Sequence, residues 1–451
     1  MKLVNESANV LHCTICISNY FNYLPTFNRM LHYFLFTVYA VFFCWAVIQI
    51  PFIKKTGLSP KIIVGLFILK VAAGVLLGWT SLHLYGINND YWDTNKYGWE
   101  DYQLLFSDPG KYFDDLFNSG YATGYGNMFD ATQSHWNDLR SKLIVKLASV
   151  VAAFSRGNYY TSSIFFSFIG FLGHVALYRI FIGIYQNKKW LVLAGSFLLP
   201  SLLFYSSGIN RDSVIFFAIG MLCWFCYSGF QQKFSTKKIL GIITCMLIIF
   251  FIRNFILLAM LPAILAWFIC EKKKWSPFRT FAVVYAVYFV IFFNFDLLFP
   301  SANLPATIAK RQSEFLQLPQ GSSDIYLSPL YPTFRSYLNN TPQALNHILM
   351  RPYITEVNTV YGLPFALELL LYQLLFVLFL LFRKQNATAY TGAFIMFGFF
   401  FTFSVYLNIG YTIPNVGSLI RYRSLYLSFL IIPILAGINW EKIGEIFKIK
   451  K

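Results

Sequence analysis

Charge is scarce in this chain, and acid scarcer still: 19 Asp and Glu stand against 36 Lys and Arg in 451 residues, and only 12% of the chain is charged. A soluble domain usually carries about 25% charged residues, so a water-exposed surface around one core is excluded as the main architecture. Motifs of several enzyme classes are missing as well. There is no HExxH pair, no glycine-rich nucleotide loop and no paired CxxC, which removes the basis for ATP hydrolysis and for structural zinc. The seven cysteines are scattered: Cys13 and Cys16 near the start, and Cys44, Cys223, Cys226, Cys245 and Cys270 in apolar stretches. No disulfide framework follows, and Cys223/Cys226 reads as packing on a helix face. The first thirty residues hold one early lysine and no apolar core with a small-residue cleavage site, so no signal peptide is assigned.

What is abundant is apolar and aromatic. Hydrophobic residues make up 57% of the chain, with 50 Phe and 30 Tyr, and the mean hydropathy is +0.55. These values predict an all-α, polytopic integral membrane bundle forming a single transmembrane domain over 1–451. Runs of about 20 apolar residues, the length that spans a hydrocarbon core, number about eleven: 31–53, 62–84, 159–184, 189–206, 213–230, 238–252, 255–270, 279–299, 361–382, 388–409 and 424–439. The net charge of +17 is carried largely by lysines in short loops, where it sets orientation; nucleic-acid binding is rejected.

The two short runs flanking Arg253-Asn254 read as a hairpin. Lys54-Lys55, Lys188-Lys189, Lys237-Lys238, Lys272–Lys274, Arg383-Lys384 and the tail from Lys442 to Lys451 then all face the cytoplasm. One long, kinked helix is the alternative, and it inverts everything that follows. With the hairpin, the protein lies in a bacterial inner membrane with its N-terminus outside and its C-terminus inside. The first outer loop is 85–158, the second is 300–360, and 207–212 and 410–423 are outer as well.

The first outer loop begins with Asp90 and Asp93, just past the run Ile62–Leu84. Carboxylates at a membrane boundary are costly without water, a partner or a ligand, so this loop is where chemistry is expected. Asp108-Pro109 has the form of a helix start. Over Asn137–Phe154, Leu139, Leu143, Ile144, Leu147, Val150, Val151 and Phe154 share one face and Arg140, Lys142 and Lys146 the other. The pattern is that of an interfacial amphipathic helix, its basic face toward headgroups or anionic ligands, or of a helix packed on the bundle.

Arginine favours the outer segments, where Arg140, Arg156, Arg211, Arg253, Arg311, Arg335, Arg351, Arg421 and Arg423 fall. Guanidinium groups stay charged and grip phosphate or carboxylate bidentately, so they suit a site for a phosphorylated lipid or acidic saccharide. Arg211 within Ser206–Asp212 and the pair Arg421/Arg423 stand out, although Asp212 also reads as a helix cap and the pair as interfacial anchors. Glu356, after Arg351-Pro352, and Glu368, inside a run, are candidate partners for these cations. His174 reads as a packing residue, while His83 and His135 lie near the outer boundary.

This arrangement resembles the GT-C superfamily of polyprenyl-phosphate-dependent glycosyltransferases: a span followed at once by acids, a large outer loop, then a multi-span bundle. Pro200–Asp212 (PSLLFYSSGINRD), Arg351–Glu356 (RPYITE) and Pro414–Arg423 (PNVGSLIRYR) look like segments of bacterial envelope-polysaccharide membrane proteins and repeat-unit polymerases. The chain departs from the common pattern in its extra span 31–53 and in lacking a large C-terminal outer domain. The resemblance implies Asp93 as catalytic base and Asp90 as an orienting or alternative base. It further implies phosphate binding by Arg211, Asp212, Arg253, Arg351, Glu356, Arg421 and Arg423. Partners would be a lipid-linked sugar donor, a saccharide or lipid acceptor and membrane lipids. No cofactor is predicted, although the acids leave room for a divalent metal. A multi-pass transporter or flippase and a non-catalytic subunit of an envelope complex are the other classes considered.

Overall fold

The structure is a computed structural model that describes residues 26–121, 124–126, 134–299, 303–319, 321, 323–357, 360–384 and 392–448. Cys13, Cys16 and the rest of the first 25 residues lie outside the described residues. In chain order the helices used below are α1 (Thr26–Gln49), α2 (Pro60–Tyr85), α3 (Asp90–Ser107), α4 (Pro109–Phe117), α5 (His135–Ser155), α6 (Tyr159–Ile184), α7 (Lys189–Phe197), α8 (Pro200–Tyr205) and α9 (Arg211–Gln232). There follow α10 (Thr236–Lys273), α11 (Pro277–Phe293), α12 (Leu304–Leu316), α13 (Phe334–Met350), α14 (Leu363–Phe382), α15 (Ala393–Thr412), α16 (Val416–Ser424), α17 (Leu427–Gly437) and α18 (Trp440–Lys448). Among the described residues there is no strand, only isolated bridges pairing Asp324 with Asn415 and Arg383 with Ile438.

Seven helices are long and apolar enough to cross a membrane: Met30–Gln49 of α1, then α2, α6, α9, α10, α14 and α15. An eighth results if α16 and α17, bent by 66° at their junction, form one broken span. This is a membrane protein, with seven or eight of its described helices meeting the length and hydropathy of a span. Residues 189–206 are divided into α7 and α8, interrupted just before Pro200, where the missing proline N–H cannot continue the ladder. Helix α11 has only 17 residues.

The expected hairpin at Arg253-Asn254 is present: the helical run Thr236–Lys273 is two helices meeting at a kink at Arg253 (φ −150°, ψ 79°), and both far ends return to the end of α9, where Lys238 donates to the Ser228 carbonyl (2.8 Å) and the Trp267 ring stands 5.1 Å from that of Phe230. Lys237-Lys238 and Lys272-Lys273 therefore lie toward the same end of the hairpin.

The chain forms two compact units, one of residues 1–119, 139–173 and 204–217, the other of 120–138, 174–203 and 218–451. In the first unit, Phe43 of α1 meets Phe67 of α2 (centroids 6.4 Å apart) and Phe168 of α6 (4.8 Å). Helices α2 and α6 approach closely at Gly78, where a Cβ would lie 2.0 Å from the Tyr159 ring. Helix α5 buries Ile144, Ala148, Val151 and Ala152. Its lysines face acids of the same unit: Lys146 pairs with Asp101 (2.8 Å) and Asp115 (3.5 Å), and Lys142 with Asp115 (3.0 Å). Of the two readings of this helix, the packed one holds for these lysines, because α3 and α4 supply carboxylates that no local pattern reveals.

The turn expected at the outer surface over 207–212 is buried instead. Gly208 donates its N–H to Ser167 Oγ (3.3 Å) and approaches the middle of α2 so closely that a Cβ on Gly74 would stand 2.9 Å from its nitrogen. Irregular backbone at such a position is tolerated only when protein groups satisfy it.

In the second unit, α7 packs against α17 through Gly195 and Ile432, and Ser428 donates its hydroxyl hydrogen to the Gly195 carbonyl (2.8 Å). Gly410 of α15 lies against the Ala344 backbone of α13. His174 contacts the Ser196 carbonyl through Nδ1, and Cys223, Cys226, Cys245 and Cys270 are buried free thiols.

Candidate functional site

Local sequence explains how the first unit places Asp93. Ser59 caps α2 by accepting the Ile62 N–H, with Pro60 at the first helical position. At the other end the chain leaves α2 through Gly86 at φ 73° and ψ −167°, a region open essentially to glycine alone. Asn89 then joins the two elements: its amide donates to the Gly86 carbonyl (2.6 Å), and its side-chain oxygen accepts the N–H groups of Tyr91 and Trp92 to cap α3. Asp90 and Asp93 therefore occupy the first turn of a helix, not an open loop, where negative charge complements the helix dipole.

Trp92 fixes the orientation of that turn. Its indole N–H donates to the Gly78 carbonyl (3.0 Å), and its ring stacks on Tyr159 with centroids 4.6 Å apart. Asn95, one turn on, donates to the Gly157 carbonyl (2.7 Å). Together these contacts tie the start of α3 to α2 and to the start of α6.

Asp93 lines a cavity of about 1630 Å³ in this unit. Phe36, Ala40 and Cys44 of α1 and Phe67, Val71 and Val75 of α2 form its apolar part, and Asn88, Asp93, Lys96, Arg156 and Asn158 bring the polar groups. Asp93 is half-buried, whereas Lys96 and Arg156 are exposed. Arg156 holds a left-handed backbone (φ 51°), a conformation that costs a non-glycine residue energy. His32 also lines the cavity, and its buried Nδ1 has no hydrogen-bond partner among the described residues. Neither His32 nor Lys96 is singled out by the sequence, because one lies in an apolar run and the other resembles any helical lysine.

The remaining candidates divide between the units. Asp90 is exposed and lies outside the cavity lining. Arg211 donates to Ser141 Oγ (2.7 Å), and Asp212 is fully buried in the first turn of α9. Asn210, not Asp212, provides the side-chain cap seen for that helix, accepting the Ser213 N–H (2.7 Å). His83 meets the Trp79 carbonyl through Nδ1 (2.7 Å), and His135 is buried edge-on to Tyr125.

In the second unit, Arg351 pairs with Glu356 (3.2 Å). Arg423 is buried and donates to the carbonyls of Ile348 (3.0 Å) and Arg351 (2.6 Å), closing the C-terminal end of α13. Glu368 is buried too, accepting the Ser201 N–H and hydroxyl and the Tyr372 hydroxyl. Arg421 is half-buried in α16, and Arg253 is buried with its guanidinium 4.2 Å above the Tyr422 ring.

Among the described residues, no group of three or more His, Cys, Asp or Glu could hold a metal ion. No family model, curated protein or solved structure matches the chain.

Proposed function

We propose that the chain is a glycosyltransferase of a bacterial cytoplasmic membrane, acting in cell-envelope polysaccharide or glycolipid assembly. It moves a sugar or oligosaccharide from a polyprenyl-(di)phosphate carrier to an acceptor hydroxyl, with Asp93 as general base. The observation that carries the reading is the amphipathic cavity of the first unit, where a half-buried carboxylate and two cations share the lining with a long apolar surface.

The acceptor oxygen attacks the anomeric carbon as its proton passes to the Asp93 carboxylate, a contribution of about 10²–10⁴-fold. The bond from that carbon to the carrier phosphate breaks, and its electron pair leaves with the phosphate. Lys96 and Arg156 stabilise the charge that develops there. The apolar part of the cavity accommodates the start of the prenyl chain.

Membranes carrying wild type, Asp93→Asn or Asp90→Asn, matched for protein abundance, test this in a deletion background. Loss of one surface glycan and accumulation of its lipid-linked precursor with Asp93→Asn alone is the expected result. A glycan profile unchanged by the deletion itself refutes the reading.

A transporter or flippase is the second reading, favoured by the bent pair α16 and α17, since discontinuous spans build transporter sites. Proteoliposomes distinguish the two: a transporter moves a lipid-linked sugar across the bilayer without altering its covalent structure.

A further inference from the structure

The second unit contains a cavity of its own, about 570 Å³ in volume, between α10, α11, α12, α13 and α15. Its size falls within the ordinary range of small-ligand sites, about 300–1,000 Å³. The wall follows α15 from Phe400 to Tyr411, a helical length of about 16 Å that suits an extended chain. Its two ends differ. Phe400, beside the Tyr285 ring (centroids 4.9 Å apart), and Ala282 make one end apolar. At the other, Gln312 donates to the Tyr411 carbonyl (2.8 Å), which sets Arg311 and Asn408, both in the lining, at the same end.

Several polar groups of the wall are satisfied internally. The hydroxyls of Tyr288, Thr307, Tyr337 and Ser404 each donate to a backbone carbonyl of the unit. The Arg311 guanidinium and the Asn408 amide, by contrast, make no hydrogen bond among the described residues; both side chains are half-buried, and the guanidinium rests 4.4 Å from the centre of the Phe255 ring. Such groups beside apolar surface call for a ligand or water. Burial disfavours the Arg311 charge most, and of the groups around it Tyr422 and Glu314 favour that charge while Arg253 opposes it. With a carboxylate already beside the arginines, a guest need bring no charge of its own.

We infer that this cavity binds one uncharged, single-chain lipid with a glycerol ester head, a monoacylglycerol, its carbonyl and hydroxyl oxygens against Arg311 and Asn408 and its hydrocarbon chain toward Phe400. A guanidinium and an amide together present several N–H donors and one carbonyl acceptor, which an ester carbonyl and hydroxyls answer and a bare hydrocarbon does not. A cavity of this volume and length has the width of one chain, not two. The site does not depend on the chemistry proposed at Asp93.

Purified full-length protein in detergent, titrated with monolaurin, laurate and dodecane and with bound ligand counted by mass spectrometry, provides the test. Monolaurin is expected to bind once per chain, with weak binding of dodecane, which lacks the head, and of laurate, which carries a charge. Asn408→Leu, which suits an apolar span, weakens monolaurin by about threefold to tenfold and leaves dodecane unchanged; Arg311→Met does the same. Ala259→Phe, which narrows the cavity, loses both ligands, and Asp93→Asn changes neither. Unfolding midpoints accompany every variant, and Asn408→Leu carries the test if the others do not fold. Dodecane or laurate as tight as monolaurin, or an unchanged monolaurin affinity in folded Asn408→Leu, overturns the proposal. Monolaurin binding that falls with Asp93→Asn also overturns it, by locating the lipid in the cavity of the first unit.

Discussion

Lys70 stands near the middle of α2, fully buried, and its amine donates to Ser206: Nζ lies 2.6 Å from the Ser206 carbonyl oxygen and 2.5 Å from its hydroxyl. A lysine inside an apolar span is costly unless it meets such partners. The same contact satisfies a carbonyl just beyond the short helix α8. Lys70→Met is therefore expected to cost about 1–3 kcal/mol, the range for leaving a buried acceptor unpaired. A lower unfolding midpoint in detergent is the readout, and an unchanged midpoint means that water or another donor replaces the amine.

The apolar runs made the existence of most long helices legible, but not where those helices break. The interruption at Arg253 is the exception: with no Gly or Pro nearby, the polar pair Arg253-Asn254 between two short apolar runs marks it in the sequence. The sequence offers Asp93 as base and Asp90 as an orienting or alternative base, without a local signal that separates their surroundings. In the structure Asp93 is half-buried and lines the cavity, whereas Asp90, one turn earlier at the end of the helix, is exposed and does not. Arg351 and Glu356, close in the sequence on either side of Pro352, do pair in the structure (3.2 Å). The acids facing Lys142 and Lys146 are remote in sequence, so an amphipathic pattern could not distinguish a lipid-facing basic stripe from one that was already neutralised.

The contact between Lys146 and Asp101 supports a second prediction. Lys146 is nearly buried, also lies 4.0 Å from the centre of the Tyr112 ring, and pairs with Asp101 more closely than with Asp115. Removing one partner strands the other, whereas removing both does not. Asp101→Ala and Lys146→Met should each destabilise the protein, and the double variant should lose less than their sum, with a coupling of about 0.5–3 kcal/mol. Additive losses in a denaturant-resolved cycle would show that the pair contributes no specific interaction.

His347 makes stability depend on pH. Burial, and secondarily the Arg351 charge, lowers its pKa from the ordinary 6.5 to about 4. Between those values the unfolded chain binds more protons than the folded one, so this group's contribution to stability rises with pH. Its effect is fully favourable above about pH 6.5, declines on acidification through that window and levels off below about pH 4. Unfolding midpoints from pH 4 to 7.5 should fall less steeply on acidification in His347→Gln than in wild type, and parallel curves would remove the histidine as their cause.

Gly65 and Gly78 lie on the same helix and provide a final, matched prediction about the cavity of the first unit. A Cβ at Gly65 meets nothing within 4 Å, while one at Gly78 would lie 2.0 Å from Tyr159 Cε1. Alanine at Gly65 should be neutral or stabilising by up to about 1 kcal/mol, because a helical glycine is entropically costly. Alanine at Gly78 must displace Tyr159, and with it the ring on which Trp92 stacks. Because Trp92 bonds the Gly78 carbonyl from the first turn of α3, the shift reaches Asp93 one residue away. Glycan assembly should thus be lost with Gly78→Ala and retained with Gly65→Ala at equal membrane abundance. Retention in both would mean that the position of Asp93 tolerates movement of the aromatic pair, and that positioning it is not the function of the close α2–α6 approach.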